Sequence, residues 1–322
     1  MTATALPRQD RAIMKFEHPG FTATGERRAK VALKSLQTLW FNTGTLCNVT
    51  CQNCYIESSP KNDRLAYLTL ADVTMYLDEI RAYRLPVEMI GFTGGEPFMN
   101  RDIIPILTET LNHGFETLVL TNAMQPMMRL RKELLHLKEL AKERLRVRVS
   151  LDDHRADVHD VERGAGAFAK AMEGLRYLSE SGFQIEIAGR RLAGEPEDRA
   201  RQGYQDLFRR EGIHVDCSDT VQLVIFPEMT ANNDPPEITE ACWGILDKSP
   251  DDVMCATSRM VVRRREASAP SVVACTLIAY DQRFELGATL ADARKPVALN
   301  HRFCATFCVL GGAACGGSKG SP

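Results

Sequence analysis

The sequence predicts an α/β fold, a partial (β/α)6 barrel followed by a small cysteine-rich C-terminal domain. Three observations lead there. Between residues 36 and 226, short apolar runs alternate with amphipathic stretches, the pattern of parallel βαβ units. Six such runs are too few to close an eight-stranded barrel, so the barrel stays open. Of the ten cysteines, three fall within Cys47–Cys54 and seven lie after residue 216, which points to two metal-binding regions.

Residues 1–35 are polar and mixed and read as an N-terminal arm. Residues 36–42 (LQTLWFN) form the first expected strand, followed by the cysteine loop. Thr69 caps a helix over about 70–83, with Leu70, Val73, Tyr76, Leu77 and Ile80 on one face. A strand over 87–93 ends in Gly94-Gly95, and a helix over 103–113 stops at Gly114. The remaining strands are expected at 117–122, 145–152, 183–189 and 220–226. The intervening helices are expected at 127–143, 167–181 and 197–211. Proline-rich residues 227–237 read as a linker, so the barrel is assigned to 36–230 and the cysteine-rich unit to 231–322.

Composition narrows the function classes. The chain has 322 residues, is 44% hydrophobic and carries a net charge of -2. Nothing in that balance calls for nucleic acid or an anionic membrane as partner. The first residues carry Arg8, Asp10, Arg11 and Lys15 where a signal peptide needs its apolar stretch, so a cytoplasmic location is expected. Reduced thiols in that compartment bind metals or react rather than form disulfides.

The chemistry-bearing residues fall at the expected strand ends, where ligands bind in such folds. Cys47, Cys51 and Cys54 share one short loop and can ligate three irons of a [4Fe–4S] cluster, leaving one iron open. Gly94 and Gly95 let the backbone approach a ligand, and Glu96, followed by Pro97, offers an acceptor for an amine. Asn122, Ser150 and Asp152 suit ribose hydroxyls, or cap helices. Arg190 can pair with a carboxylate bidentately or lie at the surface.

The C-x-x-x-C-x-x-C spacing after a first strand, followed by Gly94-Gly95-Glu96-Pro97, resembles the radical S-adenosylmethionine (SAM) superfamily. The resemblance covers about residues 36–226. It implies a cluster on Cys47, Cys51 and Cys54 whose open iron is chelated by SAM. One electron from the reduced cluster would then release a 5′-deoxyadenosyl radical. It also implies SAM contacts from Tyr55, Gly94, Gly95, Glu96, Pro97, Asn122, Ser150, Asp152 and Arg190. Asn53 stands where the family often has an aromatic residue. The run from His159 to Phe168 resembles one in the SPASM/Twitch branch, where it organises a loop. There Asp153 replaces a frequent glycine and is expected to face the substrate.

Cys255, Cys275, Cys304, Cys308 and Cys315, with a hairpin over 258–262 and 271–274, resemble a Twitch or shortened SPASM domain. One auxiliary [4Fe–4S] cluster is expected on Cys255, Cys275, Cys304 and either Cys308 or Cys315. A structural zinc and a second auxiliary cluster stay open as alternatives. Cys217 and Cys242 read as small buried residues. A small-molecule substrate is expected, with a flavodoxin or ferredoxin as electron donor. The arm before Leu36 is shorter than the leader-binding domain of many peptide-modifying relatives. A peptide or protein maturase is the second reading, and a non-catalytic iron–sulfur protein the third. No general acid or base is identified, and the oligomeric state is not specified.

Overall fold

The computed structural model describes residues 14–192, 194–227 and 234–312. A short strand β1 (Lys30–Val31) leads into the barrel. The barrel begins with β2 (Thr38–Asn42), α1 (Leu70–Ala82), β3 (Met89–Thr93), α2 (Ile103–Asn112) and β4 (Glu116–Thr121). It continues with α3 (Gln125–Arg129), α4 (Arg131–Ala141), β5 (Leu145–Ser150), α5 (Ala156–Arg163) and α6 (Ala167–Glu180). It ends with β6 (Gln184–Arg191), α7 (Glu197–Glu211) and β7 (Leu223–Pro227). The C-terminal part adds α8 (Cys242–Ile245), β8 (Ser258–Val262), β9 (Ser271–Val273), β10 (Glu285–Gly287), β11 (Val297–Ala298) and a π-helical turn, Cys304–Val309.

Strands β2 to β7 are neighbours in chain order and all parallel, which is the six-stranded partial barrel. The C-terminal hairpin does not stand apart. β8 runs parallel to β2, pairing Met260 with Trp40, and carries β9 and β10 into the same nine-stranded sheet. β1 pairs antiparallel with β11, which joins the start of the described chain to its end. Among the described residues no helix is long and apolar enough to cross a membrane.

The period of two along each strand decides what faces the helices and what faces the lumen. Phe41, Ile90, Phe92, Val119, Val147 and Ile187 pack outward in one core with Val73, Leu107, Leu137 and Leu175 of the helices. Each such side chain removed from water contributes roughly 1.5–3 kcal/mol. Trp40, Leu118, Met260, Val262 and Val273 face inward as a second cluster. Trp40 lies over Gly91, where a Cβ would stand 2.4 Å from the ring, so only glycine admits the indole. Nearer the strand N-termini the lumen holds charges. Glu186 pairs with Arg148 at 2.5 Å and Arg146 at 3.0 Å.

Two departures from the sequence reading bear on the site. The helix expected over 127–143 is two, broken at Leu130, where ψ is 18°. α3 packs against α6 and α4 against α2, so the axis must turn between them. Residues 156–163, read as part of a loop, form α5, which ends at Gly164 with φ 100°. An eight-residue polar helix has too few apolar positions to announce itself. Tertiary contacts hold it, as the site makes plain.

Candidate active site and second cysteine site

A cavity of about 190 Å³ opens at the C-terminal ends of the barrel strands. Cys47, Cys51, Cys54, Tyr55, Gly94, Gly95, Asn122, Ser150, Asp152 and Arg190 all line it. Residues from five separate segments thus meet because parallel strands end on one rim.

The cysteine loop is seated by backbone. Gly95 donates its N–H to the Gly44 carbonyl at 2.8 Å, and Glu96 donates to the Leu46 carbonyl at 3.1 Å. A Cβ at Gly95 would fall 2.1 Å from the Leu46 oxygen. Gly94 has φ +145°, and a Cβ there would fall 2.5 Å from the Gly44 oxygen. The glycine pair therefore serves first to let the cysteine loop close onto the end of β3.

Glu96 and Pro97 lie outside the cavity lining, which corrects the expectation that the Glu96 side chain meets an amine there. Glu96 is 1% exposed. Its carboxylate accepts from Thr121 Oγ1 at 2.9 Å, Phe98 N–H at 3.2 Å and Asn122 N–H at 2.8 Å. Burial pushes the carboxyl up to about 7 against those donors. Glu96 ties the end of β3 to the end of β4 and so positions Asn122. Asn122 in turn donates through Nδ2 to Asn48 Oδ1 at 2.8 Å and to Cys47 Sγ at 3.9 Å.

Opposite lies a charged cluster. Asp152 is held by Arg163 through Nε at 2.6 Å and a terminal nitrogen at 3.2 Å, with Arg190 at 3.7 Å. Burial alone would raise the Asp152 carboxyl, but the Arg163 guanidinium outweighs it and holds the group at about 2. Arg190 also reaches Glu162 and the Asn53 carbonyl, both at 3.3 Å. Asn53 donates to both Glu162 oxygens at 2.9 and 3.0 Å. The residue that departs from the family pattern thus pins the cysteine loop to α5.

Arg163 lines the cavity, and the sequence reading missed it. The available signal was its spacing of four from His159, which puts both on one helix face. His159 is a local hydrogen-bonder, its Nδ1 accepting from Asp152 N–H at 3.2 Å. Asp153 does not line the cavity; it is buried against Arg155 at 2.7 Å, which corrects its expected role facing substrate.

The second set of thiols is also brought together. Cys255, Cys275, Cys304 and Cys308 line one small apolar cavity of about 20 Å³. Burial pushes the Cys255 thiol up to about 11 and the Cys304 thiol up to about 12. Cys315 lies outside the described residues. Cys217 is buried in the main core, and Cys242 Sγ accepts from Thr239 N–H at 3.3 Å, both away from the thiol cavities. Among the described residues no group of three or more His, Cys, Asp or Glu converges tightly enough for one metal ion. A cubane makes a different demand, one thiolate for each of several irons around a volume.

The two cavities share a wall. Leu277 lines both. Tyr55 packs edge-on against Phe303 at 6.5 Å and Phe307 at 6.0 Å between ring centres, the residues immediately before Cys304 and Cys308.

The first site fits an iron–sulfur cluster in its donors as well as its thiols. Ser58 N–H donates to Cys54 Sγ at 3.3 Å, and Asn122 reaches Cys47 Sγ. Such N–H groups stabilise thiolate ligands and tune the metal they hold.

Comparisons agree with this geometry. Residues 41–198 match the family described as the Radical SAM superfamily. The antilisterial bacteriocin subtilosin biosynthesis protein AlbA of Bacillus subtilis is 32% identical over 143 residues, covering 44% of this chain and 30% of AlbA. The mycofactocin maturase MftC of Mycobacterium ulcerans is 31% identical over 137 residues, covering 42% of this chain and 35% of MftC. The chain thus spans about a third of the length of these relatives. Streptococcus suis SuiB, solved with its precursor peptide SuiA, shares the fold at 14% identity with a TM-score of 0.56, over 80% of this chain and 63% of SuiB. With the cysteine loop, the Gly94-Gly95 seat and the barrel rim in place, residues 41–198 of the chain carry a radical SAM domain.

Proposed function

We propose that this chain is a radical SAM oxidoreductase whose first cluster sits on Cys47, Cys51 and Cys54. An auxiliary [4Fe–4S] cluster would sit on Cys255, Cys275, Cys304 and Cys308. One observation carries this: three thiols, the Gly94-Gly95 backbone, Asn122, Ser150, Asp152 and Arg190 share one cavity at the strand ends. When bound, the first cluster and SAM supply a 5′-deoxyadenosyl radical that abstracts hydrogen from a substrate.

The chain's own residues do the rest. Gly94 and Gly95 hold the cysteine loop and present backbone to the SAM amine. Asn122, Ser150 and Asp152 face the ribose and carboxylate. Arg163 keeps Asp152 ionised, and Arg190 completes the charge balance. Tyr55, Phe226 and Leu277 give the wall an apolar surface that keeps water from the radical. We assign residues 36–230 to the radical SAM barrel and 231–322 to the auxiliary-cluster region, which share one sheet through β8.

We propose a peptide or protein as substrate. The support is the maturase among the relatives and the peptide bound to SuiB. A small molecule, the expectation from the sequence, becomes the second reading. A flavodoxin or ferredoxin would deliver the electron, in a cytoplasm that keeps all these thiols reduced.

The test is anaerobic. Clusters are reconstituted, dithionite and SAM are added, and 5′-deoxyadenosine is measured beside a Cys47/Cys51/Cys54→Ala variant. Production that vanishes in the variant supports the proposal. A fully iron-loaded protein that neither binds nor cleaves SAM would sink it.

A further inference from the structure

We infer that Trp40 and Ser58 form a neutral hydrogen-bonding site in the cavity that takes an amide carbonyl of the substrate. This rests on the proposed radical SAM reading and deepens it.

Both residues line the cavity beside the cysteine loop. Trp40 is 1% exposed and Ser58 is 4% exposed. Yet Trp40 Nε1 and Ser58 Oγ find no hydrogen-bond partner among the described residues. An unmet buried donor forfeits the hydrogen bond it made in water, so a protein that keeps two in one binding wall has a reason to keep them. They lie on the same side. Trp40 packs in one cluster with Ile56, against which Cys54 rests, and Ser58 N–H bonds Cys54 Sγ.

The chemistry of the wall selects the partner. An indole N–H only donates, so the partner must accept. The surroundings are apolar: Ile56, Leu120, Phe226 and Leu277. The charged side chains that line the cavity are already paired. Arg163 is on Asp152, and Arg190 is on Glu162 and Asp152. A substrate carboxylate or phosphate placed against Trp40 and Ser58 would therefore find no free counter-charge at that wall and lose its hydration. A neutral carbonyl oxygen needs only the hydrogen bonds that Trp40 and Ser58 have to give. An amide fits, and a peptide carries one at every residue.

SAM itself carries acceptors, so the experiment separates the two sources. The reconstituted full chain is given a panel of N-acetyl amino-acid methylamides and, as controls, the matching N-acetyl amino acids with free carboxylates. The readouts are the rise in 5′-deoxyadenosine release over the probe-free rate and, separately, the Kd for SAM. Some methylamides are expected to raise the rate and their free acids not to. Trp40→Phe should raise the KM for those amides about tenfold, the loss of one buried hydrogen bond, with the SAM Kd moving less than about twofold. Ser58→Ala should raise that KM by about threefold to tenfold, and it leaves the indole in place should Trp40→Phe not fold. The inference is overturned if no methylamide raises the rate. It is overturned also if free acids serve equally, if both variants keep the wild-type KM because water serves the donors, or if the loss falls on the SAM Kd. Failure of the wild-type protein to bind or cleave SAM would instead strike the radical SAM reading.

Discussion

Arg163→Met tests whether the charged cluster opposite the cysteine loop is a designed part of the site. Arg163 is the main partner of Asp152, which is 7% exposed. With Arg163 present, Asp152 sits at about 2 against an ordinary 3.8. At about 1.4 kcal/mol for each pH unit, that difference is worth about 2 kcal/mol of stability. The sign follows from the depressed value. The contribution is present above 3.8 and lost as pH falls toward about 2. Removing Arg163 withdraws this and leaves a buried carboxylate with only Arg190 at 3.7 Å. A loss of about 3–5 kcal/mol at neutral pH is therefore expected. The assay is urea unfolding of the cluster-loaded protein under anaerobic conditions, followed by circular dichroism. Adding Asp152→Asn to Arg163→Met should recover about half of the loss, because the orphaned charge is gone. A double variant as unstable as the single one, or an Arg163→Met protein within about 1 kcal/mol of wild type, would refute the electrostatic account.

Other outcomes follow from the same geometry. Gly95→Ala drives a Cβ into the Leu46 oxygen, so it should cost about 1–3 kcal/mol and lower iron content, measured by colorimetric iron assay; wild-type iron loading would count against the seat. Cys255→Ser or Cys275→Ser should reduce loaded iron from about eight to about four per chain while the Cys47 site keeps its spectrum; unchanged iron would remove the auxiliary cluster. Burial holds His159 down at about 4 against an ordinary 6.5, so its neutral form stabilises the fold above 6.5 and that stability fades as pH falls toward about 4. His159→Gln should remove about 1 kcal/mol of the stability change between about pH 7.5 and about pH 5.5, read from urea midpoints. Glu96→Gln turns an acceptor into a donor facing Asn122 N–H, which should cost about 1–3 kcal/mol and weaken SAM binding measured by equilibrium dialysis.

Local signals carried most of the elements. The apolar spacing of Val73, Tyr76, Leu77 and Ile80 and the cap at Thr69 located α1, and the structure shows the full capping box with Asp72. The cysteine spacing and Gly94-Gly95 were legible because metal ligation and close backbone approach each require particular residue types. The helix α5 was not, because its stabilising partners lie outside its own span. His159 is buried under β5's end, Asn53 comes from the cysteine loop, and Asp152 closes the network.

The sequence alone determined the partial barrel, the three cysteines at one strand end and the cysteine-rich C-terminal part. It did so because strand periodicity and ligand spacing are local properties of the chain. Tertiary structure decided that Glu96 braces two strands instead of facing the cavity, and that Cys308 lines one cavity with Cys255, Cys275 and Cys304. It also decided that Arg163, Trp40 and Ser58 belong to the wall. Those facts depend on which side chains meet across strands far apart in sequence, and in a close-packed barrel only the three-dimensional register fixes who pairs with whom.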